Sequence, residues 1–127
     1  MKTNKECPFC MLDTDREVLC ESPDAIAFLD KFPVSPGHAL VVPRRHVADY
    51  FSLAEAEQQA LWHLVNTCRQ ILAQRYRPDG FNVGINVGPA AGQTIFHVHI
   101  HLIPRYTGDV PNPKGGVRHV MPGKGYY

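Results

Sequence analysis

The sequence predicts an α+β fold in which a mainly antiparallel, five-stranded sheet packs against one long helix. Two observations carry this prediction. Short apolar runs bounded by Pro, Gly, Asp or Ser stand on both sides of one long amphipathic segment, in the order β-β-β-α-β-β. The chain has 127 residues, 44% of them hydrophobic and 20% charged, which is typical of a single globular domain. We therefore expect one domain over residues 1–127, with an N-terminal segment at 1–14 and an irregular tail at 107–127.

Three short strands are predicted before the helix. They cover residues 18–21, 25–29 and 39–42. Ser22-Pro23-Asp24 is typical of a turn between the first two strands. The two prolines and the glycine of residues 30–37 predict a loop, and Pro43 ends the third strand because proline cannot donate to the ladder.

The helix prediction rests on a start signal and an apolar stripe. Ser52 followed three residues later by Glu55 matches a capping box, which predicts a helix from about residue 53 to about residue 75. Its buried stripe repeats at helical spacing. The stripe consists of Leu61, Leu64, Val65, Cys68, Ile71 and Leu72. Two further strands are predicted at 81–87 and 95–103, joined by a Gly-rich loop at 88–94.

Composition excludes several classes of function. The formal net charge is +1, so binding to long nucleic acid through a strong basic field is not expected. The sequence has no apolar run near the roughly 18 residues that span a bilayer, and its first ten residues lack the apolar core of a secretory signal. We therefore expect a cytoplasmic protein without a membrane partner. In that compartment the four cysteines are expected to be thiols or metal ligands.

The most informative segment is the histidine-rich strand at 95–103. Alternation directs its apolar residues towards the core and three histidines towards the exposed face, about 6.6 Å apart. The apolar set is Phe96, Val98, Ile100 and Leu102, and the histidines are His97, His99 and His101. Three interpretations remain open: a metal-binding row, a nucleophilic imidazole with supporting neighbours, or a polar strand face without function. Three rings spanning roughly 13 Å cannot easily share one ion.

The segment His97-Val98-His99-Ile100-His101-Leu102-Ile103 resembles the HφHφHφφ motif, φ being apolar, of the histidine-triad (HIT) family of nucleotide hydrolases and transferases. Residues 30–46, with Gly37-His38 and His46, resemble the upstream segment of that family, and the resemblance covers roughly residues 5–106. It implies a HIT-like homodimer with a sheet extended across both protomers, which binds a purine nucleoside monophosphate group. It also implies that His99 attacks the α-phosphorus and that water releases the nucleotidyl group from this histidine.

The resemblance further implies roles for residues around His99. His101 and His38 would donate to phosphate oxygens or to the leaving group. The nucleotide-binding residues would be Asp30 at the ribose, Phe28 in the base pocket, Asn86 at the phosphate or the ribose, and Gly92, Gln93 and Thr94 at the phosphate. Without the resemblance, a turn-forming Asp30 and a core Phe28 are the favoured interpretations, and Gly88-Pro89 alone favours a plain connecting loop at 88–94.

Cys7 and Cys10 form a C-x2-C pair, and a structural zinc would need two more ligands. Some histidine-triad proteins complete such a pair with two histidines, which match His46 and His97 here. The alternative is a pair of free thiols near the chain end. Cys20 and Cys68 are expected in the core.

The sequence thus predicts a nucleotide hydrolase or nucleotidyl transferase that releases a purine nucleoside monophosphate from phosphoramidates or from (di)nucleoside polyphosphates. Two alternatives stay open: a nucleotide-binding sensor or scaffold with weak activity, and a metal-dependent hydrolase that uses the histidine row directly. The leaving group, the choice between adenine and guanine, and the role of the tail are not predicted.

Overall fold

The predicted α+β architecture is confirmed by a computed structural model that describes residues 4–12 and 16–127. The rest of the predicted N-terminal segment lies outside the described residues. The elements are β1 (Val18–Glu21), β2 (Ala25–Leu29), β3 (Ala39–Pro43), α1 (Glu55–Tyr76), β4 (Gly80–Ile85) and β5 (Ile100–Arg105). The strands form one antiparallel sheet in the order β1-β2-β3-β5-β4. A sheet continued into a second protomer stays a prediction.

One face of the sheet packs against α1 and forms the main core. The predicted stripe is buried there except for Ile71, which is half-buried. It meets small and branched residues of the central strands, among them Ala27, Val41 and Ile100. Leu61 and Leu72 are fully buried, and removing such a side chain to Ala costs about 2–5 kcal/mol. This face therefore carries much of the stability of the fold.

The start of the helix differs from the prediction. Ser52 ends a short 3-10 turn (Tyr50–Ser52), and α1 begins only at Glu55. The carboxylate of Asp49 caps the earlier turn by accepting from the Phe51 N–H at 2.7 Å, which leaves Ser52 inside that turn. Glu57 then accepts from the backbone N–H of residue 54 at 3.1 Å, so the acidic half of a capping box is present two residues later than predicted.

The histidine segment also differs from the prediction. β5 begins at Ile100, so His97 and His99 precede the ladder, and the Val98 N–H donates to the Val47 carbonyl at 2.7 Å. Val98, Ile100 and Leu102 lie in the main core as the alternation predicts, whereas Phe96 is 49% exposed, which contradicts its predicted core position. β4 likewise ends at Ile85 rather than at residue 87.

The opposite face of the sheet is covered in part by the N-terminal segment, which explains why the histidines are not on an exposed face. Phe9 and Cys7 pack there on a second apolar cluster that includes Phe28 and Leu40. Leu40 pairs with both Phe28 and His101 across the sheet, which sets these three residues in one row. His97 and His99 are buried, and His101 is half-buried.

The tail has a 3-10 turn at Gly116–Val120 that packs near β4. Its start is held by Arg105, whose guanidinium donates two hydrogen bonds to Asp109 and one to Asn82. A cavity of about 500 Å³ lies between the tail and the sheet. Among the described residues, no helix has the length and apolar character required to cross a membrane.

Candidate active site and metal centre

A cavity of about 420 Å³ lies on the sheet face opposite α1, and its volume suits a nucleotide-sized ligand. Six of the predicted site residues line it: Asp30, Asn86, Gly92, Thr94, His99 and His101. The sheet, the loop after β4 and the N-terminal segment each contribute to its walls. The fold therefore brings together residues that are separated by up to 71 positions in the chain.

His99 is fixed in one tautomer by the backbone. Its Nδ1 lies 2.8 Å from the carbonyl oxygen of His97, and a carbonyl can only accept, so Nδ1 carries the proton. The unprotonated Nε2 is then the ring nitrogen left for a ligand. The Phe9 ring packs edge-on against the imidazole, with the ring centroids 5.0 Å apart. These contacts leave His99 little freedom to rotate.

His38 fixes the tautomer of His101 in the same manner. The Val34 N–H donates to His38 Nδ1 at 3.1 Å, so the proton of His38 lies on Nε2, which is 3.0 Å from His101 Nδ1. His101 Nδ1 accepts the hydrogen bond from the Nε2–H of His38, so the proton of the neutral His101 ring lies on its Nε2. The ring therefore offers a donor to the cavity that it lines.

Both of these rings are held in the neutral form. Burial, together with the nearby His99 and His38 and against the opposing effect of Asp30, lowers the pKa of His101 to about 4. Burial also lowers the pKa of His38, against the opposing effect of Asp30, whose Oδ2 lies 3.5 Å from His38 Nε2. At neutral pH the pair is thus a chain of neutral donors and acceptors rather than a cationic cluster.

His97 faces a different group of ligands. The ring is fully buried, and its Nε2–H donates to the Pro43 carbonyl at 2.7 Å, which leaves Nδ1 without a proton. This Nδ1 lies 3.4 Å from Cys7 Sγ, 3.4 Å from Cys10 Sγ and 3.3 Å from His46 Nδ1. Cys10 Sγ is in turn 3.3 Å from His46 Nδ1.

These four residues fit a tetrahedral zinc ion in donor type and in spacing. Their ligand atoms all lie within 4.8 Å of one another. A tetrahedron with zinc bonds of ordinary length has edges of roughly 3.3 to 3.8 Å between N and S ligands. The carbonyl of Pro43 supplies the outer hydrogen bond that orients His97 as a ligand. The ligand set predicted from the resemblance is therefore brought together by the fold.

Asp30, His38 and His101 form the other described group that could hold a metal ion. Among the described residues, neither group contains two histidines of the triad, and His99 belongs to neither. Instead, His97 bonds to the Pro43 carbonyl, His99 to the His97 carbonyl and His101 to the His38 ring. This arrangement disfavours the interpretation in which the whole histidine row binds one catalytic ion.

The HIT domain family matches residues 12–108 of the chain. This chain belongs to the HIT domain family. It is 38% identical over 107 residues to a HIT-like protein of Mycoplasma genitalium, covering 82% of this chain and 76% of the relative. It is 33% identical over 105 residues to the asymmetrical bis(5'-nucleosyl)-tetraphosphatase of Schizosaccharomyces pombe, covering 83% and 58%. A solved Zn-bound histidine triad family protein from Mycobacterium smegmatis has a TM-score of 0.76 at 30% identity, covering 84% and 80%.

Two predicted nucleotide-binding side chains of this HIT protein lie outside the cavity walls. Phe28 is fully buried below them, with its ring 5.6 Å from that of Phe9. Gln93 is buried as well: its carbonyl accepts from the Gly88 N–H at 2.9 Å, and its amide donates to the Ala48 carbonyl at 2.8 Å. Gln93 thus braces the loop that presents Gly92 and Thr94, and it does not offer its side chain to a ligand.

The cavity also contains residues that sequence reasoning missed. They include Phe9, Arg16, Phe32, Leu40 and Ile95. Leu40 could have been found by aligning the third strand with the histidine strand, and Phe9 by its position between two metal ligands. No local pattern marks Arg16, which reaches the site only through the path of the chain before β1.

Proposed function

We propose that this HIT protein is a nucleotide hydrolase or nucleotidyl transferase that works through a nucleotidyl-His99 intermediate. It releases a purine nucleoside monophosphate from phosphoramidates or from (di)nucleoside polyphosphates. The observation that carries the proposal is the hydrogen bond from His99 Nδ1 to the His97 carbonyl, which leaves the Nε2 lone pair at the cavity. The similarity to the Schizosaccharomyces pombe bis(5'-nucleosyl)-tetraphosphatase supports dinucleoside polyphosphates as a substrate class.

The reaction has two steps. In the first, the Nε2 lone pair of His99 forms a bond to the α-phosphorus, and the bond from phosphorus to the leaving oxygen or nitrogen breaks with its electron pair. The leaving group takes a proton from solvent. In the second step, water attacks the phosphorus and loses a proton to solvent, and Nε2 recovers its lone pair as the nucleoside monophosphate departs. The His97 carbonyl stabilises the positive charge on the ring in the intermediate.

The other cavity residues act by position and charge, since phosphoryl transfer depends mainly on these. The Nε2–H of His101 donates to a non-bridging phosphate oxygen, and His38 holds the tautomer that makes this donation available. The Thr94 hydroxyl and the amide of Asn86 face the same ligand. Asp30 accepts hydrogen bonds from the ribose hydroxyls.

We also propose a structural zinc held by Cys7, Cys10, His46 and His97. When bound, the ion ties the N-terminal segment to the residues that precede β5. It provides no chemistry at the phosphorus, because His99 is not among its ligands. The homodimer stays a prediction, and β4 offers it an edge strand at one side of the sheet.

The nucleophile is tested by the His99→Ala variant. We expect its turnover of an adenosine 5'-phosphoramidate to fall by at least 1,000-fold, because it has no group to form the intermediate. Circular dichroism and calorimetric binding of AMP serve as controls for folding and for the cavity. Rapid quenching of wild-type reaction mixtures followed by peptide mass spectrometry should show a nucleotidyl adduct on His99. Full activity of the variant would refute the proposed reaction.

A further inference from the structure

Arg16 places a cation in the same cavity, at a position that the reaction described above does not use. Its guanidinium lies over the Phe28 ring, 4.8 Å from the ring centroid. Arg16 lines the cavity together with Asp30 and Phe32, and it also lines a smaller adjoining cavity. The aromatic face beneath it supports the guanidinium and fixes its plane.

One nitrogen of this guanidinium lacks an acceptor. Arg16 Nη1 is buried, and no hydrogen-bond partner for it occurs in the part of the chain that the structure describes. A buried donor of a permanently charged group is normally satisfied, so its hydrogen-bonding capacity points to an acceptor that arrives with a ligand. The question is which part of the ligand carries that acceptor.

The order of the side chains along the cavity indicates which part of the ligand carries the acceptor for Arg16. The phosphorus end is fixed by His99 and His101, and Asp30 is linked to His101 through His38. Arg16 and Asp30 share the walls of the adjoining small cavity, which neither His99 nor His101 lines. On the proposed function, on which this step rests, the ribose lies at Asp30 and the base continues towards Arg16. The apolar side chains of Phe32 and Leu40 suit a flat base there.

We infer that Arg16 reads the edge of the nucleobase and makes the site select guanine over adenine. Guanine presents two adjacent acceptors, O6 and N7, which match the paired donors of a guanidinium. Adenine presents N7 beside an amino group, and that amino group would face the Arg16 donors without an acceptor. The site therefore takes guanosine 5'-phosphoryl substrates in preference to adenosine ones.

The test is calorimetric binding of GMP and AMP to the full-length, zinc-loaded protein. We expect the wild type to bind GMP about 10- to 100-fold more tightly than AMP, the discrimination that one bidentate base contact gives. Arg16→Met keeps an unbranched chain over Phe28 and should bring the GMP to AMP ratio close to one, through loss of GMP affinity alone. Arg16→Lys keeps the charge without the paired donors and should retain only part of the preference. Arg69→Met, on the exposed face of α1, is the matched control and should behave as wild type.

Two results would overturn the inference. Equal affinity of the wild type for GMP and AMP would remove the selectivity itself. An equal loss of GMP and AMP affinity in Arg16→Met would show a contact to the phosphate that both ligands share. The His99 adduct is measured separately with the guanosine phosphoramidate. If the adduct forms but the protein shows no preference between the bases, the proposed function stands and this inference is rejected. If the protein prefers GMP, Arg16→Met loses that preference and no adduct forms, this inference stands and the proposed function is rejected.

Discussion

In each histidine of the triad, the hydrogen-bond partner of one ring nitrogen determines whether the other nitrogen can accept or donate. His97 donates to a backbone carbonyl and turns Nδ1 towards two thiols, while His99 donates to a carbonyl and turns Nε2 towards the cavity. His101 accepts from His38 and turns an N–H towards the same cavity. On the proposed function, three identical residues at a spacing of two thus serve as a metal ligand, a nucleophile and a donor.

The His38–His101 hydrogen bond is expected to be needed for turnover. In a His38→Phe variant the ring is retained as an apolar shape, but nothing fixes the tautomer of His101. We expect kcat to fall about 10- to 100-fold with a smaller change in KM, as for loss of a positioned donor in the transition state. Nitrogen-15 shifts of His101 should change from one tautomer to a mixture. Unchanged shifts with unchanged kcat would contradict this role, and thermal unfolding checks that the variant folds.

The sequence predicts the residue types of the site better than their contacts. Spacing and resemblance predict that Cys7, Cys10, His46 and His97 come together and that His99 lies at the cavity, because these predictions concern the side chains themselves. Gln93 and Phe28 match the expected positions, yet hydrogen bonds to Ala48 and packing under Phe9 occupy their side chains. Arg16 is missed because its place depends on the course of the chain and not on a local pattern.

At the level of elements, the sequence predicts well those strand ends that are set by turn residues. It does not predict the ends that are set by a change in backbone hydrogen-bond partners. β1 and β2 have the predicted bounds since Ser22-Pro23-Asp24 separates them. Alternation alone cannot separate a strand from an extended segment whose backbone N–H groups bond elsewhere, so the predicted start of β5 is five residues too early. The Val98 N–H bond to Val47 is the local cause.

The N-terminal segment connects the proposed zinc ligands to His99, so a change at a zinc ligand is expected to affect turnover at a distance. Cys10 does not line the cavity, but Phe9 beside it packs on His99. We expect wild-type protein to hold about one zinc ion per chain by mass spectrometry of metals, and Cys10→Ser to hold much less because the tetrahedral set is weakened. Turnover of the variant should fall as Phe9 loosens. Cys20→Ala, a change in the core on β1, is the control and should keep its zinc. Normal zinc content in Cys10→Ser would reject the ligand set.

At the scale of the whole molecule, the two faces of the sheet have separate tasks. The face against α1 is an apolar core with buried Leu and Val side chains. The other face carries buried polar rings whose hydrogen bonds are supplied by the backbone and by one another. A catalytic site on this second face can be rigid without a metal at the phosphorus, because the tautomers are fixed by the fold.

The same buried rings should make the protein sensitive to acid. The pKa of His101 is lowered to about 4 in the folded chain, against about 6.5 for an unfolded histidine. Between these values the unfolded chain binds the proton and the folded chain does not, so stability is full above pH 6.5 and decreases as the pH falls towards 4. The groups that face His101 are His99, His38 and Asp30.

This loss of stability in acid is tested by urea unfolding of wild type and of a His101→Asn variant from pH 7.5 to pH 4.5. The free energy of unfolding should decrease less steeply with acidification in the variant, because the buried ring that resists protonation is gone. Both proteins hold the same four metal ligands, so the difference between their slopes isolates His101 from any acid-dependent loss of metal. Identical slopes would mean that this ring takes up its proton equally well in the folded and the unfolded chain, which its burial beside two other imidazoles opposes.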